Sequence, residues 1–457
     1  MQRFDAVVVG AGSGLNIADA LAGRGQSVAI VEEGPMGGTC LNRGCIPSKI
    51  EIHSADVMEL LRRSAAFGIK TSPLRVDFAA ITRRASQLVD RDAREIEAAI
   101  RANKRLTLFK ARAAFVGDRT LRIGTKTIRG EKIFILAGTR PVVPPIPGLG
   151  GAMTSDQALR LTKQPRSLIV LGGGYIAAEL AHFFGALGTQ VTVVQRSGLL
   201  NREDQEIAAA FTQAFQSRHR LLLGYEVTRV ERKAAKVVVH VAGKEGEKTL
   251  EADQLLVATG RVPNSDLLDV GKAGIRTDKA GYIVTNEFLE TSAPGVWAAG
   301  DIAGKFLFKH SANLEATVAA HNALFPGRKY PADYTAMPHA IFTAPQIAAV
   351  GETEQQLQER RARYVVGRYW YKDTGMGAAL QDEEGFVKLL AEKGTRKILG
   401  CHIIGPEAAT LIHEVLVAMK HANAVDSLVS TIHIHPALSE VVQRAARAAA
   451  EELSSSR

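Results

Sequence analysis

Short apolar runs, separated by glycine-rich turns and helical stretches, dominate the first half of the chain. The run from Phe4 to Val9 is followed by a glycine turn, a helical stretch that ends near Gly23, and a second apolar run from Ser27 to Val31. Uninterrupted apolar runs of this length are typical of strands buried in a parallel sheet. The order strand, glycine turn, helix and strand predicts a βαβ unit of the kind that binds dinucleotides.

The turn and the end of the second strand carry the binding features of such a unit. Glycines let the backbone approach a pyrophosphate at the helix N-terminus, and an acidic residue after the second strand holds ribose hydroxyls. The turn departs from the usual pattern at Leu15, which replaces its last glycine. The residues predicted to bind a first dinucleotide are Gly10, Gly12, Ser13, Gly14 and Glu32.

A second unit of the same kind begins with the apolar run from Ser167 to Leu171. Its helix is predicted to end near Leu187, and its second strand to run from Gln190 to Val194. Two such units in one chain predict two bound dinucleotides. The residues predicted to bind the second dinucleotide are Gly172, Gly174, Tyr175, Ile176, Gln195, Arg196 and Gly260.

Two cysteines, Cys40 and Cys45, lie in a glycine-punctuated stretch after the first unit. We predict that a helix starts at Pro47, since proline is tolerated at the first helical position. Cys45 then lies at the positive end of a helix with Lys49 one turn further on, and both features favour a thiolate. A redox dithiol is the preferred interpretation. Two ordinary buried cysteines and half of a metal site are the alternatives, although a metal site needs further ligands and Cys401 is distant.

The segment from Gly37 to Lys49, GGTCLNRGCIPSK, resembles the active-site signature of the dithiol-type pyridine nucleotide–disulfide oxidoreductases. That family includes dihydrolipoamide dehydrogenases and the glutathione, mycothione, trypanothione and mercuric reductases. The resemblance covers essentially the whole chain and implies an α/β fold, in which two Rossmann-like dinucleotide-binding domains precede a C-terminal α+β dimerisation domain. The expected boundaries are 1–149 and 269–333 for the two parts of the FAD-binding domain, 150–268 for the NAD(P)-binding domain, and 334–457 for the dimerisation domain, with a strand from Ala340 to Val350.

The resemblance assigns roles to further residues. It implies that Cys40 and Cys45 form the redox disulfide, with Cys45 nearest the flavin, and that Glu179 pairs with Lys49. The first unit then binds FAD, and the second binds NAD or NADP. The additional residues expected to contact FAD are Gly38, Thr39, Lys49, Gly138, Gly300 and Asp301. No metal site is expected.

The end of the second nucleotide-binding unit bears on the choice between NADH and NADPH. Members of the family that select NAD carry an acid there, which repels a 2′-phosphate. This chain has Gln195 followed by Arg196, so the repulsion is absent and an arginine is available to pair with the phosphate. The alternative is that Arg196 faces solvent, and both nucleotides therefore stay open.

The second half of the predicted site lies near the C-terminus. His435 is followed by Pro436 and then by Glu440, in a pattern that resembles the catalytic histidine motif of the family. The resemblance implies that His435 is the general acid/base and that Glu440 orients its ring and stabilises the imidazolium. Because this histidine reaches the dithiol of the other subunit in the family, we expect a homodimer. We expect His433 only to pack or to form a hydrogen bond.

Composition and charge exclude several classes of protein. The 457 residues are 46% hydrophobic and 23% charged, as in ordinary soluble globular proteins. No apolar run approaches the roughly 18 residues that span a bilayer, and no signal peptide is visible. Three cysteines in so long a chain indicate a reducing compartment, so we expect a cytoplasmic protein. The net charge of +10 comes from scattered residues, which argues against nucleic-acid binding, and we expect Arg444 to Arg457 to form a solvated helix and tail.

We predict an FAD-dependent oxidoreductase that passes electrons between NAD(P)H, flavin, the Cys40–Cys45 disulfide and a sulfur substrate. Dihydrolipoamide or a lipoyl-domain protein is the preferred substrate, as in a dihydrolipoyl dehydrogenase, and a basic surface would suit an acidic lipoyl domain. One alternative is an NADPH-dependent reductase of a small disulfide, because Lys309 to Asn313 resembles the mycothione reductases. Further alternatives are a mercuric-reductase-like enzyme, an NAD(P)H oxidase or transhydrogenase, and a non-catalytic subunit of a complex.

Overall fold

The first sheet is built around the apolar run at the N-terminus. The structure, a computed structural model, describes residues 1–455. The strands of this region are β1 (Gln2–Val9), β2 (Val28–Val31), β3 (Leu106–Phe109), β4 (Ala113–Gly117), β5 (Thr120–Ile123), β6 (Lys126–Ile135) and β7 (Thr139–Pro141). The helices are α1 (Gly14–Ala22), α2 (Gly38–Arg43), α3 (Cys45–Arg63) and α4 (Phe78–Ala102). The sheet order is β3-β2-β1-β6-β5-β4, with β1 parallel to both β2 and β6. The carboxyl end of β1 therefore opens onto the glycine turn before α1.

A second parallel sheet follows the same plan. Its region contains β8 (Met153–Thr154), β9 (Ser167–Leu171), β10 (Gln190–Gln195), β11 (Arg220–Leu223), β12 (Tyr225–Lys233), β13 (Lys236–Gly243), β14 (Gly246–Ala252), β15 (Gln254–Val257) and β16 (Arg261–Pro263), with helices α5 (Ser155–Ala158), α6 (Tyr175–Ala186) and α7 (Gln205–Gln216). The sheet order is β11-β10-β9-β15-β8, and β12, β13 and β14 form a separate antiparallel sheet. Both predicted βαβ units are present, because β1-α1-β2 and β9-α6-β10 each contain two adjacent parallel strands.

The chain then returns to the first sheet before it forms an antiparallel C-terminal sheet. β17 (Val296–Ala298) pairs in parallel with β6, and α8 (Lys309–Leu324) follows. The C-terminal elements are β18 (Pro338–Ile341), β19 (Ile347–Gly351), α9 (Glu354–Glu359), β20 (Tyr364–Trp370), α10 (Gly375–Ala379), β21 (Phe386–Glu392), β22 (Ile398–Ile404), α11 (Ala408–His421), α12 (Val425–Ser430) and α13 (Glu440–Ser455). The strand order is β18-β19-β22-β21-β20. Within residues 1–455, no helix has both the length and the apolar character needed to cross a bilayer.

The basic C-terminal stretch forms the predicted helix, α13, but the prediction that this helix is solvated was wrong for one of its faces. This helix buries one face, which includes Val441, Ala445 and Ala449. It approaches β20 so closely that a Cβ atom on Gly367 would lie 2.0 Å from the Ala445 carbonyl oxygen. The helix is therefore a packed part of the C-terminal domain. Ser456 and Arg457, the end of the predicted tail, lie outside the described residues.

The single strand predicted from Ala340 to Val350 is instead the two strands β18 and β19, which pair with each other in antiparallel fashion. Pro345 lies in the connection between them, where its missing N–H cannot break a ladder of hydrogen bonds. The connection also carries Phe342, which contacts the candidate site described next.

Candidate active site

The two cysteines lie on successive helices at one end of the first sheet. Cys40 belongs to α2, and Cys45 is the first residue of α3, directly after Gly44. The prediction that this helix starts at Pro47 was wrong by two residues, because Pro47 occupies a position in the first turn where no backbone N–H is required. The correction places Cys45 nearer to the positive end of the helix than the sequence suggested.

Hydrogen bonding divides the roles of the two thiols. The hydrogen bond from Cys40 lowers the pKa of Cys45 to about 7, with help from Lys49 and against the effect of burial. The same hydrogen bond, followed by burial, raises the pKa of Cys40. In the reduced pair, Cys45 therefore holds the negative charge near neutral pH, and Cys40 keeps its proton.

Lys49 and Glu179 form an ion pair at the junction of three parts of the chain. Lys49 Nζ lies 2.7 Å and 2.9 Å from the two carboxylate oxygens of Glu179, which is buried on α6. The backbone N–H of Phe342 donates a further hydrogen bond of 3.0 Å to Glu179. The Phe342 ring lies 4.5 Å from the lysine nitrogen. The pair thus links the dithiol helix α3 to the second βαβ unit and to the C-terminal region.

The first glycine turn lies directly against the dithiol segment. A Cβ atom on Gly38 would lie 2.8 Å from the Cα atom of Gly12, so no larger residue fits at Gly38 without movement. The backbone N–H of Gly37 donates to the carbonyl oxygen of Ala11 at 2.8 Å. Thr39 follows at the start of α2. Any group bound in this turn would therefore lie close to the cysteines.

Two acidic residues lie where the sequence analysis expected them. Glu32 follows β2 and accepts the backbone N–H of Ala11 at 2.9 Å. Asp301 follows Gly300 after β17 and accepts the Thr139 hydroxyl at 3.1 Å. Burial raises the pKa of Asp301, and Arg261 opposes that effect. The chain therefore places one carboxylate at the end of β2 and a second beside β7.

The second glycine turn repeats the geometry of the first at the end of β9. Gly172 has a φ of +126°, and a Cβ atom there would lie 2.3 Å from the Ala258 carbonyl oxygen. Gln195, the last residue of β10, covers Gly173, whereas Arg196 is exposed and forms no ion pair within residues 1–455. Arg196 is thus available to a ligand or to solvent, and both nucleotide alternatives remain.

Both turns have the form of a dinucleotide cradle. A Cβ atom on Gly138 or Gly174 would meet no protein atom within 4 Å, so open space lies beside each turn. No side chain caps the N-terminus of α1 or of α6, and the positive end of a helix is a place where an anion can bind. The residues fit the phosphates of two dinucleotides, one in each turn. Tyr175, the first residue of α6, packs against Phe308 at the second turn, and Ile176 follows it.

His435 and Glu440 form the predicted pair near the C-terminus. His435 Nδ1 lies 3.0 Å from a Glu440 oxygen, and the other Glu440 oxygen accepts the Ala437 N–H at 3.2 Å. Within residues 1–455 of one chain, neither a hydrogen bond nor an ion pair joins His435 to a cysteine. The neighbouring Ile432 and Ile434 are 97% and 78% exposed. A single chain therefore leaves this apolar, histidine-bearing surface open.

His433 differs from His435 in its surroundings. Its side chain is only 6% exposed, and its Nε2 lies 2.9 Å from Glu414. The partner on the other ring nitrogen is the carbonyl oxygen of Thr431 at 3.0 Å. Both ring nitrogens are thus occupied inside the chain, as expected of a packing residue.

Sequence reasoning missed several residues of the site. Phe342 contacts the Lys49–Glu179 pair from a distant part of the chain, and no local pattern marks it. Arg261 donates to Thr139 at 2.7 Å, beside Asp301. Lys309 donates to Ser13 at 2.9 Å. The segment that begins at Lys309 departs from the commonest sequence of the family, and this departure was a signal visible in the sequence. The contact of Lys309 with Ser13, however, is apparent only in the folded structure.

Among residues 1–455, no group of three or more His, Cys, Asp or Glu side chains has the arrangement to hold a metal ion.

Comparison with known proteins identifies the family. Residues 4–323 match the family described as pyridine nucleotide-disulphide oxidoreductase, and residues 337–446 match its dimerisation domain. Mycothione reductase of Mycobacterium tuberculosis is 36% identical over 459 residues, which cover 97% of this chain and 99% of that protein. Mitochondrial dihydrolipoyl dehydrogenase 1 of Arabidopsis thaliana is 34% identical over 460 residues, with 97% and 90% covered.

A solved structure shows the same overall arrangement. The Cu(II) complex of the HOCl-induced flavoprotein disulfide reductase RclA from Escherichia coli has a TM-score of 0.88 and 28% identity, over 98% of this chain and 99% of that chain. The predicted family and α/β fold are therefore confirmed. Members of this family are flavin-dependent enzymes that use FAD and NAD(P)H. Because the family model and its dimerisation domain together match most of the chain, the chain belongs to the pyridine nucleotide-disulphide oxidoreductase family.

Proposed function

We propose that the chain moves two electrons between NAD(P)H and a sulfur substrate through Cys40 and Cys45. The observation that carries this proposal is the placement of Cys45 at the N-terminus of α3, with Cys40 on the preceding helix α2 and Lys49 one turn further on. Ordinary buried cysteines would stay protonated at neutral pH, whereas this environment lowers the pKa of Cys45 to about 7. A thiolate at neutral pH is the species that thiol–disulfide exchange requires.

The two glycine turns would hold the two cofactors. When bound, FAD carries the electrons between the nicotinamide and the dithiol. We assign FAD to the turn that touches Gly38, because that turn lies against the dithiol segment. The proposed FAD contacts are Gly10, Gly12, Ser13, Gly14, Glu32, Gly38, Thr39, Lys49, Gly138, Gly300 and Asp301. The proposed NAD(P) contacts are Gly172, Gly174, Tyr175, Ile176, Gln195, Arg196 and Gly260.

The thiols and a histidine then carry out the exchange with the substrate. In the reductive direction, His435 of the partner subunit takes the proton of Cys40, the Cys40 thiolate attacks a substrate sulfur, a Cys40–substrate disulfide forms, and the substrate S–S bond breaks. The departing thiolate takes a proton from His435 of the partner subunit. The Cys45 thiolate next attacks Cys40, which closes the Cys40–Cys45 disulfide and releases the second substrate thiolate. A dihydrolipoyl dehydrogenase would run these steps in reverse.

The placement of His435 supports the proposal of a homodimer. Its side chain is 76% exposed and bonded to Glu440, and the isoleucines on either side of it are exposed as well. The dimerisation domain in the family match, residues 337–446, includes this segment. We therefore propose that a second copy covers the surface and receives His435 at its dithiol.

Dihydrolipoamide or a lipoyl-domain protein remains our first substrate. The similarity to a dihydrolipoyl dehydrogenase over nearly the whole chain and the net charge of +10 support it, since a basic surface attracts an acidic lipoyl domain. A small disulfide is the second candidate. The similarity to mycothione reductase supports that alternative.

The first experiment measures anaerobic reduction of NAD⁺ and of NADP⁺ by dihydrolipoamide, with Cys40→Ser as the blank. Rapid reduction that requires Cys40 is the expected result, and the faster nucleotide identifies the physiological one. The same preparation is then tested for NADPH and NADH oxidation with small disulfides, mycothiol disulfide among them. Turnover of a small disulfide without dihydrolipoamide activity would replace the first candidate with the second. Absence of all cysteine-dependent turnover would contradict the proposed function.

A further inference from the structure

The loop of residues 196–204, between β10 and α7, contacts the second glycine turn directly. The backbone N–H of Leu200 donates to the carbonyl oxygen of Gly173 at 2.8 Å. Leu200 has a φ of +50°, a left-handed conformation that is unfavourable for a leucine. Such a conformation persists only where the surrounding structure enforces it. Other contacts must therefore keep the loop against the turn.

A buried carboxylate anchors this loop to the C-terminal sheet. Glu203 is only 7% exposed, and its two oxygens lie 2.9 Å and 2.8 Å from Nε2 of His339, on β18. Among residues 1–455, no other group forms a hydrogen bond or an ion pair with this carboxylate. A buried carboxylate without a partner is unfavourable. Loss of His339 would therefore favour movement of Glu203 toward water.

The ring of His339 also reaches the second glycine turn by an aromatic contact. It lies parallel to the ring of Phe308, with 5.9 Å between the centroids and 1° between the planes. Phe308, which precedes α8, in turn contacts Tyr175, the first residue of α6, with 6.3 Å between the centroids. These distances are typical of packed aromatic pairs. His339 is thus connected to the turn through its ring face as well as through Glu203.

The end of the loop is fixed to the C-terminal domain independently of His339. Asp204 is completely buried and accepts hydrogen bonds from Lys388 Nζ at 2.8 Å and from the backbone N–H of Glu354 at 3.0 Å. Removal of His339 leaves these contacts in place. We therefore expect it to displace the part of the loop near the glycine turn without detaching α7 from the C-terminal domain.

We propose that His339 is a positioning residue for the nicotinamide nucleotide. By binding Glu203, it keeps the loop of residues 196–204 against the second glycine turn, where the pyrophosphate of NAD(P)H would bind. Its effect passes through Glu203 and Leu200 to the backbone of Gly173. The inference rests on the proposed function in one point, the assignment of the second turn to NAD(P)H.

The test measures the binding of NAD⁺ and of NADP⁺ to the FAD-loaded protein by isothermal titration calorimetry. His339→Phe keeps an aromatic ring beside Phe308 and removes the hydrogen-bond donor. His339→Gln keeps a side-chain N–H for Glu203. His321→Phe is the matched control, because His321 bonds to the carbonyl oxygen of Arg328 at 3.0 Å near the other end of α8.

We expect His339→Phe to raise the dissociation constant of the more tightly bound nucleotide about tenfold, because a hydrogen bond to a charged group is lost. His339→Gln should recover most of the affinity, and His321→Phe should bind like the parent protein. Equal affinities of His339→Phe and the parent would overturn the proposal, as would equal weakening by His339→Gln or by His321→Phe. If His339→Phe does not fold, His339→Leu is judged by the same criteria.

A double-mutant cycle tests the route through Glu203. Glu203→Leu should itself weaken nucleotide binding, because it removes the same hydrogen bond. Adding His339→Phe to Glu203→Leu should then change the dissociation constant by less than about twofold, since the bond is already absent. Additive effects of the two substitutions would show that they act separately, and would overturn the proposal.

Rapid mixing with NADH or NADPH provides a second readout, the rate of FAD reduction at increasing nucleotide concentration. We expect His339→Phe to need more nucleotide but to reach the same limiting rate, with unchanged FAD content and an unchanged KM for the sulfur substrate. A lower limiting rate at unchanged affinity would overturn the proposal, because a positioning role acts on binding.

The two levels of inference fail in different ways. A parent protein that binds neither nucleotide would contradict the proposed function and this inference with it. A parent protein that binds one of them as tightly as His339→Phe does would contradict the inference alone. Neither measurement of nucleotide affinity requires turnover of a sulfur substrate, which the substrate assays decide separately.

Discussion

His435 Nδ1 lies 3.0 Å from Glu440 Oε1, although 76% of the His435 side chain is exposed. The hydrogen bond with His435 lowers the pKa of Glu440, so the carboxylate stays ionised beside the ring. Within residues 1–455, Nε2 of His435 forms no hydrogen bond. Glu440 thus orients the imidazole through Nδ1. Nε2 remains available to a group from outside this chain.

Mixed dimers provide the sharpest check of that arrangement. Cys40→Ser and His435→Ala should each lower disulfide turnover by roughly a hundredfold or more, since each removes a group needed for exchange or proton transfer. When the two inactive proteins are unfolded together and refolded, heterodimers should regain activity. One of their two sites combines the intact cysteine of one chain with the intact His435 of the other.

The outcome separates two geometries. If His435 served the dithiol of its own chain, both sites of every heterodimer would lack one group, and no activity would return. His433→Gln is the matched control, because His433 is bonded to Glu414 inside the chain. It should keep turnover within a few-fold of the parent protein, and all variants should keep their FAD.

The Lys49–Glu179 pair should control the ionisation of Cys45. Lys49 lowers the pKa of Cys45, and Glu179 raises it. Lys49→Met removes the cation and leaves the carboxylate, so the midpoint for alkylation of Cys45 should move from about pH 7 to a value higher by about one pH unit. The measurement uses the reduced protein, and trypsin cleavage at Arg43 separates the two thiols. Lys70→Met, which removes an exposed lysine, should leave the profile unchanged, and an unchanged profile for Lys49→Met would contradict the prediction.

Glu51 should make the folded protein less stable as the pH rises. It is 0% exposed, and neither carboxylate oxygen has a hydrogen-bond partner. Burial raises its pKa to about 8, against the ordinary value of 4.5, while Arg160 opposes that effect. Folding therefore takes up a proton between those two pH values. The stability that this proton contributes is fully present below about pH 4.5 and is lost as the pH rises through about 8.

Glu51→Met isolates this effect. The difference in unfolding free energy between Glu51→Met and the parent protein should grow in favour of the variant by about 1.4 kcal/mol per pH unit between pH 5.5 and pH 7.5. Urea unfolding at three pH values in that range measures it. Glu359→Met, on the surface, should show no such trend. A difference for Glu51→Met that does not depend on pH would refute the assignment.

The features predicted correctly from the sequence depend on local patterns. The order strand, glycine turn and helix identifies the βαβ units, because each step occurs within a few residues of the next. The cysteine pair and its lysine lie on one stretch for the same reason. The prediction failed at α13, where basic residues obscured the spacing of Val441, Ala445 and Ala449, although their helical periodicity was readable.

Local patterns in the sequence predicted no contacts between distant segments, and the pairing of Lys49 with Glu179 was expected only from the family resemblance. Phe342 reaches Glu179 across 163 positions, and Lys309 reaches Ser13 across 296. A pattern within a short window contains no information about such pairs, because the folded topology creates them. The domain boundaries and the catalytic roles assigned to single residues stay predictions, since similarity of the whole chain does not test them one by one.

The meeting of Lys49, Glu179 and Phe342 has a consequence for how the protein is made. The ribosome delivers Lys49 first, Glu179 after it, and Phe342 only 163 positions after Glu179. Until then, the carboxylate that faces the dithiol helix lacks its backbone N–H donor. A nascent chain can form part of its first nucleotide-binding sheet early, yet the Lys49–Glu179 pair gains its last contact only after Phe342 has been synthesised.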